Sequence, residues 1–191
     1  MGIRIRYRKN PKKILEGLIW VAQKKPGIDH YHVVKIFFGA DKCHLNKYGR
    51  PVFGDNYVAM KCGPVPSLTY DMIKRNRRLS PLLLSEIDAA LTFVPFEKSL
   101  CLTAKRPSDL DYFSGTDLDC LEESFRDNSE LSFGRLKELT HREPAYADAW
   151  NNKASDSLQS PMNVELLIDS ANPGREKLIA YIRETSGGAI F

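Results

Sequence analysis

Hydrophobic residues recur along this chain of 191 residues with a spacing that changes from segment to segment. From Pro11 to Lys24, Ile14, Leu15, Leu18, Ile19 and Ala22 fall three and four apart, which lines one face of a helix. Pro11 suits a first helical turn, and Lys24, Lys25 and Pro26 close the segment, the cations favouring the negative end of the helix dipole. Asp29 is placed to cap a second helix that turns Val33, Val34, Phe37 and Phe38 inward, with Leu45 joining them from the turn that follows. Ser85 to Leu91 reads as a helix. Thr92–Phe96 and Ser99–Thr103 read as two short strands around Glu97 and Lys98, and Pro95 assigns the first of them to an edge. Ser114 or Thr116 caps a helix bearing Leu118, Leu121 and Phe125. Ser132 starts another, with Leu136 and Leu139 inward, and Pro144 starts a third, carrying Tyr146 and Trp150. Asn151 to Pro161 is polar and reads as a loop. Val164–Ile168 and Lys177–Ile182 form short closing helices separated by Asn172, Pro173 and Gly174. At the start of the chain Ile3, Ile5 and Tyr7 alternate with Arg4, Arg6 and Arg8, which predicts a basic strand or ordered arm over residues 1–10.

The centre is different. Tyr48 to Asp71 packs Gly49, Arg50, Pro51, Gly54, Gly63, Pro64 and Pro66 into one short span, too much punctuation for a long helix. Tyr57 to Lys61 reads as a short strand, and Pro66 opens a helix through Leu68, Tyr70 and Ile73. The expected order is helix, tight turn, strand, tight turn, helix. The whole predicts an α+β fold, mainly α: a compact helical domain over residues 11–184 with a small antiparallel sheet or hairpin, and a tail over 185–191 containing Gly187 and Gly188.

The blocks Lys35-Ile36-Phe37-Phe38-Gly39-Ala40-Asp41, His44 to Pro51, Gly54 to Met60 and Gly63 to Ser67 together resemble the Panacea family of SocA-like domains, many of them prophage-associated. Leu139-Thr140-His141-Arg142-Glu143-Pro144-Ala145-Tyr146 is similar to a late block of that family, with Tyr146 where an aromatic is usual. The likeness runs from about Ile14 to about Glu184. It implies an antitoxin that neutralises a co-encoded toxin by direct contact; no enzymatic activity is expected, because the chain shows no catalytic motif. The family's namesake implies an alternative, an adaptor that delivers its toxin to a protease. Some relatives carry a separate helix-turn-helix domain first; here about ten residues precede the first helix, too few for one.

Composition narrows the classes. Hydrophobic residues make up 42% and charged residues 27%, ordinary for a folded chain in water. No window is apolar enough for a membrane span, and the basic start lacks the apolar block of a signal peptide, so a cytoplasmic location is expected. The four cysteines, Cys43, Cys62, Cys101 and Cys120, form no C-x-x-C pair and read as free thiols. The net charge is +4, but the first 25 residues and Lys74 to Arg78 are basic, whereas Asp109 to Glu130 is acidic. Solvated faces explain such runs; the basic ones also suit a nucleic-acid contact, the second alternative, with the turn-strand-turn element imitating a winged helix.

Candidate chemistry is sparse. His30 and His32 do not share a helix face, and Cys43, His44, Cys62 and His141 lack metal-ligand spacing, so no metal or other cofactor is expected. His141 reads as support for the turn before Pro144. No phosphate-cradling loop, H-E-x-x-H or nucleophile elbow is present. Asp109/Asp111 and Asp117/Asp119 sit at capping positions where Asp is ordinary. The residues expected to meet a partner are Tyr48, Arg50, Tyr57, Lys61 and Pro64: an arginine and aromatics on rigid turns suit a binding hot spot, although Arg50 equally suits an internal ion pair.

Overall fold

The computed structural model describes residues 7–185. The alternation at Ile3 and Ile5 and the tail beyond Thr185 lie outside them, and Tyr7 to Asn10 are in neither helix nor strand. Helix α1 spans Pro11–Lys24, with the Asn10 side chain accepting from the Lys13 amide. Strand β1, Ile28–Asp29, leads into α2, His30–Tyr48, whose first turn Asp29 caps by accepting from Tyr31 N and His32 N. Leu45 lies inside this helix rather than beyond it; α2 ends at Gly49, whose φ of 73° suits a residue without a Cβ.

Then come β2 (Tyr57–Met60), β3 (Gly63–Pro66), α3 (Ser67–Ile73) and α4 (Pro81–Ala90). The last begins a turn before the expected Ser85, because Ser80 caps it and Pro81 fits its first position. Strands β4 (Leu91–Phe96) and β5 (Ser99–Ala104) follow, then α5 (Gly115–Asn128), α6 (Phe133–His141), α7 (Pro144–Asn151), β6 (Gln159–Pro161) and α8 (Arg175–Thr185). Ser114 and Asp117 close a reciprocal capping box on α5, and Ser132 caps α6. The fold is α+β and mainly α. Among the described residues there are two small sheets rather than one, each antiparallel and three-stranded: β1-β5-β4, with β4 and its Pro95 at an edge, and β3-β2-β6.

Two strands depart from expectation. Gly63 to Pro66 is not a tight turn but pairs along β2, with Tyr57 opposite Pro66 and Met60 opposite Gly63. Proline has no N–H, so Gly63 and Val65 supply the ladder donors, and Pro64 and Pro66 hold the positions whose amides would point away from β2. The free edge of β3 therefore has no donor to offer another strand. Gln159 to Pro161, expected as loop, is recruited by pairing with Val58 to Met60, which local sequence does not encode.

Helix α2 is the axis of the molecule. Ile36, Phe37 and Ala40 belong to a buried cluster with α1, α3, α4, α5 and the β1-β5-β4 sheet. Phe38 and Leu45 belong to a second, formed with β2, α7 and α8. Helix α5 comes close at Gly39, where Ser124 Oγ donates to Ile36 O (2.8 Å) and a Cβ would collide with that hydroxyl.

Candidate partner-binding surface

Because α2 is buried through most of its length, each polar side chain on its inner stretch needs an answering group. The three that are fully buried, Asp41, His44 and Lys35, each have one. Asp41 is fully buried; its carboxylate accepts from Phe53 N (2.7 Å) and Tyr57 Oη (3.0 Å). Burial pushes that carboxyl up to about 7, and Asp55 nearby pushes the same way. Asp55 accepts from Leu68 N, Thr69 N and Thr69 Oγ1, so it caps α3 from outside in place of Pro66, which has no capping side chain.

His44 is the second. Its Nδ1 donates to Arg50 O (2.7 Å), leaving Nε2 to accept from Thr116 Oγ1 (3.0 Å). Burial lowers its pKa and the Arg50 and Lys13 cations add to the effect, so the ring is neutral and its 3.3 Å approach to Asp117 is not an ion pair. Asp117 instead takes Lys13 Nζ (2.9 Å), Arg50 (2.8 Å) and Ser114 N (2.9 Å). Burial opposes its ionisation, but those donors outweigh it and hold the carboxyl at about 2, below the ordinary 3.8. Folding thus favours the ionised form, which adds roughly 2 kcal/mol above pH 3.8 that is lost as the pH falls through about 2. Asp117→Asn should lower stability at neutral pH and flatten this acid limb. Urea unfolding of both proteins across that range checks it, and parallel stability curves would count against the assignment.

Lys35 is the third, and it organises the opposite end of the helix. Its ammonium is 1% exposed, donates to Pro64 O (2.8 Å) and lies 4.9 Å over the Tyr31 ring. Burial brings its pKa down from 10.5 to about 7. By capping Pro64 O it closes the outward acceptor of β3, as the prolines close its donors. Tyr31 Oη donates to Cys62 O (3.1 Å) and Tyr146 Oη to Met60 O (2.9 Å), so the β2–β3 turn is clamped from two sides. Around this clamp stand two aromatic rows. Phe133, 51% exposed, packs against Tyr31 with the rings tilted by 40° and their centroids 4.3 Å apart. His141 stacks on Tyr146 at 4.5 Å, Tyr146 on Trp150 at 6.0 Å, and Lys153 lies over Trp150. Lys61 is exposed at the turn between them. His141 thus packs beside the hairpin through Tyr146; its buried Nε2 has no partner among the described residues.

The five residues expected at a partner surface are divided by this arrangement. Tyr48, 46% exposed and packed on His44, and Arg50 lie at the C-terminal end of α2. Lys61 and Pro64 lie at the hairpin against its N-terminal half, roughly 20 Å away along the axis. Arg50 is 43% exposed, but its guanidinium is engaged by Asp117 and by Ser114 Oγ (3.0 Å). Tyr57 and Pro64 are buried. Sequence reasoning passed over Lys35 and Phe133. A lysine inside Val33-Val34-Lys35-Ile36-Phe37-Phe38 was a signal, since a charge within an apolar run must be answered; an isolated Phe at the start of α6 carried none. Of the other basic run, Arg75 pairs with Asp88 and Lys74 lies over Tyr70, while Arg77 and Arg78 are exposed.

Among the described residues, no helix is long and apolar enough to cross a membrane. The model of one protein family, described as Antitoxin SocA-like, Panacea domain, matches residues 33–147. No curated protein and no solved structure matches the chain.

Proposed function

Because the chain belongs to the antitoxin SocA-like, Panacea-domain family, we propose that it neutralises a toxin protein by binding it directly. The observation that carries the reading is the family match itself, over the segment that builds the clamped hairpin. Lys35, Gly63, Pro64, Thr140, His141 and Tyr146 are scattered through residues 33–147 and meet beneath one exposed turn. Rigid turns present side chains at little entropic cost, and aromatic anchors dominate binding energy. Phe133 on Tyr31, Lys61 at the tip and Lys153 over Trp150 form an aromatic surface edged with cations. It suits a partner that offers an apolar side chain beside carboxylates. Nothing in this reading requires chemistry by the antitoxin, and it puts toxin and antitoxin together in the cytoplasm.

The test is co-expression with the product of the adjacent gene, with pull-down and circular dichroism. Phe133→Ala with Lys61→Glu should weaken binding by about 2 kcal/mol or more and abolish growth rescue while the melting temperature holds. Arg50→Ala should lower the melting temperature, because it uncovers Asp117, and weaken rescue only through that loss. Rescue by wild type with no detectable complex would replace stoichiometric binding with delivery to a protease. Unimpaired binding by the double variant would move the contact elsewhere, with Tyr48 the next residue to change.

A further inference from the structure

Helices α2 and α5 bring together two cysteines that lie 77 residues apart in sequence. Cys43 Sγ and Cys120 Sγ are separated by 2.7 Å, closer than unbonded sulfur atoms rest and longer than a disulfide's roughly 2.05 Å by less than about one ångström. Both are free thiols. We propose that Cys43 and Cys120 are an oxidation site that closes to a disulfide between α2 and α5.

The two sulfurs are not equivalent. Cys120 is fully buried, and burial pushes its thiol up to about 12. Cys43 is half-buried and reaches the surface beside Lys47, whose Nζ is 2.5 Å from Glu123 Oε2. The Lys47 pKa is raised, first by Glu123 and also by a hydrogen bond with Cys43, so Lys47 stays an ammonium beside the Cys43 sulfur. Glu123 Oε2, 3.7 Å from Cys43 Sγ, offers an acceptor for the departing proton.

An oxidant of the hydroperoxide class therefore meets Cys43 first. The Cys43 thiolate attacks a peroxide oxygen, the O–O bond breaks, and the released hydroxide takes up the thiol's proton as water, leaving a sulfenic acid. The Cys120 sulfur then attacks the Cys43 sulfur; the S–OH bond breaks, and the hydroxyl leaves with the Cys120 proton as a second water. Two thiols lose two electrons and one peroxide gains them. Cys62, at the β2–β3 turn, and Cys101, on β5, have no cysteine within bonding reach and stay reduced.

The inference is independent of toxin binding. The test uses the full chain, reduced, treated with hydrogen peroxide, then alkylated under denaturing conditions and mapped by mass spectrometry without reductant. The expected result is a halving of free thiols, with one cross-linked peptide pair holding Cys43 and Cys120, and with Cys62 and Cys101 alkylated. Cys43→Ser, at the half-buried position, should abolish the cross-link and leave Cys120 alkylated. Cys43 carried on to sulfinic acid with Cys120 still alkylatable would overturn the proposal. So would full alkylation of all four cysteines, or a cross-link that survives Cys43→Ser.

Discussion

Gly63→Ala is expected to destabilise the protein by roughly 3–5 kcal/mol, far more than one methyl group suggests. Gly63 adopts a φ of +108°, which a side chain strains by roughly 1–3 kcal/mol. Its new Cβ would also lie 2.7 Å from both Lys35 Nζ and Thr140 Oγ1. Those atoms are not free to retreat: Lys35 is tied to Pro64 O, and Thr140 Oγ1 donates to Leu136 O (2.8 Å). Displacing the ammonium leaves a buried donor and a buried carbonyl without partners, at roughly 1–3 kcal/mol more. Gly27 is the control. It also has a positive φ, +80°, but a Cβ there meets nothing within 4 Å, so Gly27→Ala should lose only the backbone term, about 1 kcal/mol. Urea unfolding of both variants separates strain from crowding, and equal losses would show that the Lys35–Thr140 contact carries no weight.

Phe37→Ala is expected to lose roughly 3–5 kcal/mol, against the roughly 5–15 kcal/mol that holds a typical domain together. Phe37 is fully buried and stacks on Phe53 with centroids 4.0 Å apart and planes within 9°. Gly17 of α1 lies against both rings, where a Cβ would collide with Phe53, so on that side no side chain is present to fill the vacated space. Phe37→Leu, which leaves a smaller void, should lose about 1–2 kcal/mol. A melting temperature unchanged by Phe37→Ala would mean that this face of α2 opens to solvent or to a partner.

Most helices were legible because their ends are written locally. Pro11, Asp29, Ser114, Ser132 and Pro144 each announce a first turn, and each begins or caps a helix where expected. The β4–β5 hairpin and the edge position of Pro95 were equally readable. What escaped is set by distant chain. Strand β3 was hidden because two prolines in four residues argue against a strand, until β2 supplies one partner edge and the prolines face the other way. Strand β6 was hidden because Gln159-Ser160-Pro161 has no pattern of its own. The role of Arg50 was undecidable from its surroundings, since Asp117 lies 67 residues away. The candidate surface was only half visible: Lys61 and Pro64 stood out by their turn, while Tyr31, Phe133 and Tyr146 reach it from three helices.

Helix α2 has a consequence for how the molecule fluctuates. Adjacent residues Phe37 and Phe38 belong to different buried clusters, so α2 cannot leave one cluster without leaving the other unless it is broken. Local openings then fall to elements that touch one cluster alone, such as α4 and the β4–β5 hairpin on one side or α8 on the other. The amides at the middle of α2 have no such route and are expected to be among the slowest to exchange with solvent, which makes one buried helix the gauge of how often the whole chain opens.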